Sequence, residues 1–405
     1  MSIYFDHAAT TPVSESVLNK MLPFFSAKFG NASSVHNFGH EALLAVDEAR
    51  GTIKNFFNCE VDEIVFTSGA TEANNLCLSG IIKSAKSREI EVPKIIISDI
   101  EHPSVIETCK ELEGQGVTLE YLKVNKDGLV SVEDLVAKID ENTVLVSIMY
   151  VNNEIGSIQP IRELGKAIKK INENNDKAWR QAKVDKRGTR PNKIVFHTDA
   201  TQAIRYLNCD MDWNYIDALT FSGHKIYGPK GIGALICKAN VEIEPIIFGG
   251  GQEGGKRSGT LNVPGIVGLG KSIDDIKKFS QPMDLKKIED LRQSLVDKIS
   301  SEFFDIVLNG NYEKALPNII NFRIKNINAE SLMIALDMKG IGISTGSACS
   351  LSKLTYSHVL NAIGLNADEA RSSIRVSLGN ASTEDEVTQF AAILKEVILQ
   401  IKNLK

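Results

Sequence analysis

A lysine that directly follows an apolar run is the residue in this chain best placed to do chemistry. In Thr220-Phe-Ser-Gly-His-Lys-Ile-Tyr-Gly-Pro-Lys-Gly-Ile-Gly233, Lys225 comes just after the strand candidate Ala218–Phe221. Its amine therefore sits in the crevice at a strand end, where open α/β sheets bind ligands. Desolvation there lowers an amine pKa toward neutrality, as a Schiff-base lysine requires. The Gly and Pro residues that follow fix the loop and leave room for a flat ring. A solvated loop lysine is the plain alternative, but Lys225 lies 26 positions after Asp199, a carboxylate at another strand end. In His197-Thr-Asp-Ala-Thr-Gln202, Asp199 closes an apolar run and would be partly buried, which is costly without a cationic partner. A protonated ring nitrogen would be such a partner. A helix cap is the other reading, and no neighbouring His and Asp spacing assembles a metal set.

Two further segments carry chemistry. Phe66-Thr-Ser-Gly-Ala-Thr-Glu72 runs from a strand through a small-residue turn into a helix, so free backbone amides and the positive helix end can hold a phosphate. Capping by Thr71 would be equally local and purely structural. Cys349, in Ser344-Thr-Gly-Ser-Ala-Cys-Ser350, differs from Cys59, Cys77, Cys109, Cys209 and Cys237, which read as small buried hydrophobes. The small residues around it read as an exposed loop that could present a thiol. His36 and His40 lack the glutamate of a zinc motif, and His7 and His358 read as structural.

Seven strand candidates alternate with helices between residues 60 and 240: Glu63–Phe66, Lys94–Ser98, Thr118–Leu122, Thr143–Met149, Lys193–His197, Ala218–Phe221 and Gly233–Cys237. Helices are expected at Thr71–Ser87, Pro103–Glu113, Ser131–Ile139 and Ile161–Ile171. This is an α/β domain with a mainly parallel seven-stranded sheet. Beyond Gly270 the pattern becomes that of a smaller α+β domain. It has long helices at Asp284–Phe303 and Glu384–Lys402, a shorter one at Ala329–Lys339, and strands at Ile319–Ile324 and Gly342–Thr345. The expected division is 15–275 for the large domain, with 1–14 and 276–405 forming the small one. The basic stretch Asn172–Asn192 reads as a solvated surface insertion, with docking to an acidic partner as the sharper alternative.

With 46 Lys plus Arg against 51 Asp plus Glu, the net charge near −5 gives no electrostatic case for nucleic acid or an anionic membrane. Neither a leader pattern nor an apolar stretch of about 18 residues occurs, so a cytoplasmic enzyme acting on a small molecule is expected.

The sequence resembles the group I (NifS/IscS-like) cysteine desulfurases of the class V aminotransferase superfamily. The likeness rests on Tyr4–Thr11, Gly30–His36, Thr67–Asn74, Glu101–Val105, Val151–Gly156, His197–Gln202, Ser222–Gly231, Gly249–Glu253, Arg257–Thr260, Ser344–Cys349 and Ile374–Gly379, matched in one order along nearly the whole chain. The resemblance implies the fold type I architecture of pyridoxal-phosphate enzymes. It implies pyridoxal 5′-phosphate on Lys225 as a Schiff base, Asp199 on the ring nitrogen and His102 stacked on the ring to help move protons. Ala70, Thr71, Ser222 and His224 would hold the phosphate, while Asn153 and Gln202 contact the ring oxygen region. Arg375 would clamp the substrate carboxylate, with Asn153 beside it, and Thr260 would reach the neighbouring site of a homodimer. Cys349 would take sulfur from L-cysteine as a persulfide, leaving L-alanine, for a sulfur-acceptor protein in iron–sulfur cluster assembly or tRNA thiolation. No metal is implied. The chain stops at Lys405, short of the tail of IscS-type members, so docking to an iron–sulfur scaffold is less expected than the desulfurase chemistry. A selenocysteine lyase is the nearest alternative, followed by an aminotransferase and a non-catalytic scaffold.

Overall fold

The computed structural model describes residues 2–182, 192–279, 282–302, 305–345 and 356–403. Its central sheet has seven strands in the spatial order Ile64–Thr67, Gly233–Cys237, Ala218–Ser222, Val195–Asp199, Thr143–Ser147, Lys94–Ser98 and Thr118–Leu122. All neighbours are parallel except those of Gly233–Cys237, which runs antiparallel to both of its own. The interior strands are buried along their whole length, as expected when helices cover both faces. One face packs Val46, Ile53 and Phe57 against Phe196, Phe221 and Ile273. On the other, Leu76, Ile81 and Val105 meet Ile95, Ile97 and Leu235.

A second core gathers Leu295, Phe322, Ile374, Val376, Phe390 and Leu394. It belongs to a four-stranded antiparallel sheet in the order Ser344–Thr345, Ser373–Ser377, Ile319–Ile324 and Ile306–Leu308. Ile3 and Phe5 are part of this core, so the chain begins there and then crosses to the large sheet. The bridge Asp6↔Ser377 marks the departure, and Thr11 donates through its hydroxyl to the His224 carbonyl at the arrival.

Several elements depart from the sequence expectations. The helix expected to stop at Ile171 runs from Ile161 to Ala182, so the first half of the basic stretch is helical. Apolar periodicity does end at Ile171, but Asn172 continues the anchoring by bonding both the amide and the carbonyl of Ile194. Residues 183–191 lie outside the described residues. Helices Asn37–Phe57 and Val263–Phe279 were not anticipated, because glycines interrupt both patterns. Two of those glycines are contact points: a Cβ on Gly270 would stand 2.7 Å from the Ala49 Cβ, and one on Gly39 would stand 2.1 Å from the Ser34 carbonyl oxygen. His36 is the cap of the first of these helices, accepting from the Gly39 amide. The Lys193–His197 strand is shifted to Val195–Asp199, which puts Asp199 on its last position.

Gly233 permits the closest backbone approach beneath the phosphate-type turn. A Cβ there would lie 2.6 Å from the Phe221 carbonyl oxygen and 2.8 Å from the Gly69 Cα. Gly233→Ala is expected to cost about 1–3 kcal/mol through this overpacking. Urea unfolding should show a lower midpoint with an unchanged slope.

Candidate active site

The C-terminal ends of five strands converge on one cavity of about 1150 Å³. Ala70 and Thr71 follow Ile64–Thr67, His102 follows Lys94–Ser98, and Asn153 follows Thr143–Ser147. Asp199 and Gln202 come from the end of Val195–Asp199, while Ser222, His224 and Lys225 come from the end of Ala218–Ser222. Arg375 enters from the second sheet. Ten of the twelve residues singled out from the sequence therefore line one space. The other two do not appear there: Thr260 is exposed and lies off this wall, and Cys349 lies outside the described residues. Both flanks of the Cys349 segment adjoin the site. The strand leading to it ends at Thr345 with Ser344 paired to Arg375, and the chain returns at Tyr356 and Ser357 on the cavity wall. A second cavity of about 600 Å³, around Lys169, Asn172 and Lys193, holds none of the twelve.

Asp199 is 6% exposed. Its Oδ2 accepts from Asn74 Nδ2 at 2.8 Å and its Oδ1 from the Thr201 amide at 2.9 Å. Both donors are neutral, so a buried carboxylate faces the cavity with its charge uncompensated by them. Lys225 Nζ donates to the Ala8 and Ala9 carbonyls at 2.6 and 2.5 Å. Gln202 Nε2 holds the same Ala8 carbonyl at 2.9 Å. The N-terminal segment thus forms the floor on which the amine rests.

At the opposite end, Gly69 caps the Ala70–Ser87 helix without a side chain, leaving first-turn amides directed at the cavity. Ser222 and His224 border the same corner. His224 Nδ1 is 3.2 Å from the Thr10 hydroxyl, and burial, with Lys225 and Lys230 nearby, pushes its pKa down to about 4. A doubly anionic phosphate suits this corner, a cationic ring nitrogen suits Asp199, and an imine carbon suits Lys225. The donor set fits pyridoxal phosphate.

Asp6, Glu154 and Glu101, to which the sequence assigned no role, complete the site, Asp6 through the expected Arg375. Arg375 is 3% exposed, and its Nη2 donates to Asp6 Oδ1 at 2.8 Å while Nη1 donates to the Asn153 carbonyl at 2.8 Å. Asp6 stands inside the Tyr4–Thr11 motif, but its pairing spans 369 positions and leaves no local signal. Glu154 is fully buried, and burial pushes its carboxyl up to about 7 against the pull of the Ser357 hydroxyl and Arg375. Glu101 stands behind His102, with Oε1 accepting from the Ser98 hydroxyl at 2.6 Å and the Met149 amide at 2.8 Å.

With this geometry in view, the comparisons with known proteins are decisive. The aminotransferase class-V profile matches residues 3–174 and 182–390. The cysteine desulfurase IscS of Dictyoglomus turgidum is 38% identical over 99% of this chain and 96% of its own. The chain belongs to the class-V aminotransferase family, among the IscS-type cysteine desulfurases. Cysteine desulfurase IscS 1 of Archaeoglobus fulgidus is 40% identical over 99% of this chain and 98% of its own. Among solved structures, a NifS-like protein superimposes with a TM-score of 0.87 at 35% identity, covering 98% of this chain and 99% of that one. SspA in complex with cysteine gives 0.77 at 38% identity, covering 94% and 100%. Family enzymes use pyridoxal 5′-phosphate, and it is this chain's cofactor. No helix among the described residues is long and apolar enough to cross a membrane.

Burial pushes the Glu101 carboxyl up to about 8, against the hydrogen bonds from Ser98 and Met149. An acid with a raised native pKa keeps its proton longer in the folded state than in the unfolded one, where it titrates near 4.3. The stability it contributes is complete below that value and is lost as pH rises toward 8. Glu101→Gln should therefore flatten the fall in unfolding free energy between pH 5 and pH 8, by on the order of a few kcal/mol. Denaturant titrations across that range check it.

Proposed function

We propose that this IscS-type desulfurase converts L-cysteine to L-alanine and keeps the sulfur as a persulfide on Cys349 for an acceptor protein. The supporting observation is convergence: a lysine amine, a buried carboxylate and a buried guanidinium share one cavity, with one flank of the Cys349 segment on its wall at Tyr356 and Ser357 and the other paired to Arg375 through Ser344. The cysteine bound in SspA, a relative of this fold, supports the choice of substrate.

Bound pyridoxal phosphate supplies an electron sink for the bonds at the substrate α-carbon. Asp199 would pair with the ring nitrogen, and the amides of Ala70 and Thr71 would hold the phosphate with Ser222 and His224. Asn153 and Gln202, on the same cavity wall, would contact the ring oxygen region. Arg375, steadied by Asp6, grips the substrate carboxylate in two-pronged fashion. Lys225 Nζ would hold the cofactor and, when free, would accept the substrate Cα proton, with the Ala8 and Ala9 carbonyls placed to receive the resulting ammonium. Cys349 Sγ attacks the substrate sulfur as a thiolate, and the carbon–sulfur bond breaks with its electron pair left on carbon. Reprotonation of that carbon skeleton yields alanine. His102, at its helix cap on the cavity wall, would take part in the proton transfers.

The division of labour follows the two cores: residues 15–275 carry the cofactor, and residues 1–14 with 276–405 carry Arg375 and Cys349. A homodimer completes the picture. Leu22, Phe25, Phe29, Val35, Phe38 and Leu44 are each 52% or more exposed, an apolar band that a second copy would cover. The exposed Thr260 is then free to reach the partner's phosphate.

Cys349→Ser should retain the cofactor absorbance but lose alanine production from L-cysteine by at least about 10²-fold. Wild-type protein treated with L-cysteine should show one extra sulfur on the Cys349 peptide by mass spectrometry. Full alanine production by the serine variant would overturn the persulfide step.

A further inference from the structure

His102 and Asp199 stand at the ends of different strands, and a chain of three hydrogen bonds joins them. Asp199 Oδ2 accepts from Asn74 Nδ2 at 2.8 Å, Asn74 Nδ2 also lies 2.9 Å from Ser104 Oγ, and Ser104 Oγ lies 2.9 Å from His102 Nδ1. Asn74 is completely buried, and its Oδ1 has no hydrogen-bond partner. An orphaned buried oxygen is costly, so something must fix the amide in this orientation. Turning it over would set Oδ1 against an ionised carboxylate, acceptor against acceptor. The charge on Asp199 therefore dictates which way Asn74 faces.

The consequence passes along the chain. Both Asn74 Nδ2 protons are committed, one to Asp199 and one to Ser104 Oγ. The Ser104 hydroxyl, now an acceptor from Asn74, turns its own proton to His102 Nδ1. The Ser104 backbone amide also donates to that nitrogen, at 3.1 Å, because His102 caps the Pro103–Gly114 helix. With two donors on Nδ1, the ring proton belongs on Nε2.

We propose that Asn74 is a positioning residue that carries the charge of Asp199 to His102 through Ser104, so that His102 presents a neutral ring with its proton on Nε2. Protons that His102 exchanges with the cavity pass through Nε2, since loading Nδ1 would break the helix cap. The other groups facing this imidazole do not undo the arrangement. Burial lowers its pKa most, Asp199 raises it, and Lys225 and His358 lower it. The inference rests on His102 acting beside the ring held over Asp199, but its test reads the imidazole directly and needs no turnover.

The test is nuclear magnetic resonance of the cofactor-loaded protein, isotope-labelled at the histidine nitrogens, with His102→Gln identifying the His102 signals. The wild type should show the Nε2–H tautomer and a low pKa. Asn74→Ala and Ser104→Ala should each raise that pKa by about one unit, because the hydroxyl proton no longer opposes charge on Nδ1. The double variant should rise no further than either single one, since both cuts open the same chain. Ser104→Thr, which keeps the hydroxyl, should behave as wild type. An Nδ1–H tautomer in the wild type, an unmoved pKa in both single variants, or additive shifts would each overturn the proposal. If Asn74→Ala does not fold, the Ser104→Ala and Ser104→Thr pair decides, equal behaviour overturning it. A chain that shows the predicted tautomer and shifts yet forms no alanine would refute the desulfurase reading alone.

Discussion

A carboxylate withdrawn from water at the last position of an interior strand sets the terms for everything around it. Asp199 is nearly buried, and its two recorded hydrogen-bond donors are neutral. Keeping such a group ionised demands a cation opposite it or a dense set of oriented dipoles. The pyridinium of pyridoxal phosphate, in the proposed binding mode, would meet that demand. The parallel sheet makes the placement possible: strands that share a direction deliver their ends to one edge, where helices and loops can enclose a ring.

The first residues of the chain tie this edge to the second core. Ile3 and Phe5 are packed in that core, whereas the carbonyls of Ala8 and Ala9 receive the Lys225 amine. Between them, Asp6 holds Arg375. A segment of a few residues therefore registers the Arg375 guanidinium, proposed to grip the substrate, against Lys225, proposed to bear the cofactor, two groups that arise from different sheets. Displacement of one should be felt by the other, because well-oriented reacting groups lose rate steeply with small errors of position.

The parts of this site legible in the sequence were those whose signal is local. Lys225 and Asp199 each follow an apolar run, and a strand end is visible from the run alone. The seven strands of the large sheet were readable for the same reason, with shifts of two residues or fewer at most ends. Residues that act through distant partners were not readable. Asp6 is one member of a motif until Arg375 arrives from the far end of the chain, and Asn74 is one more helix residue until Asp199 and Ser104 fold onto it. Helix Asn37–Phe57 was hidden because Gly39 and Gly51 weaken its propensity, and tertiary packing on Val263–Phe279 restores what propensity lacks.

The account depends on one covalent attachment, the cofactor on Lys225. Borohydride reduction of the cofactor-loaded protein fixes the Schiff base permanently, and peptide mapping by mass spectrometry then locates it. The pyridoxyl phosphate adduct should appear on the peptide bearing Lys225. An adduct confined to another cavity lysine such as Lys230, or protein that binds the cofactor yet yields no adduct, would contradict the account.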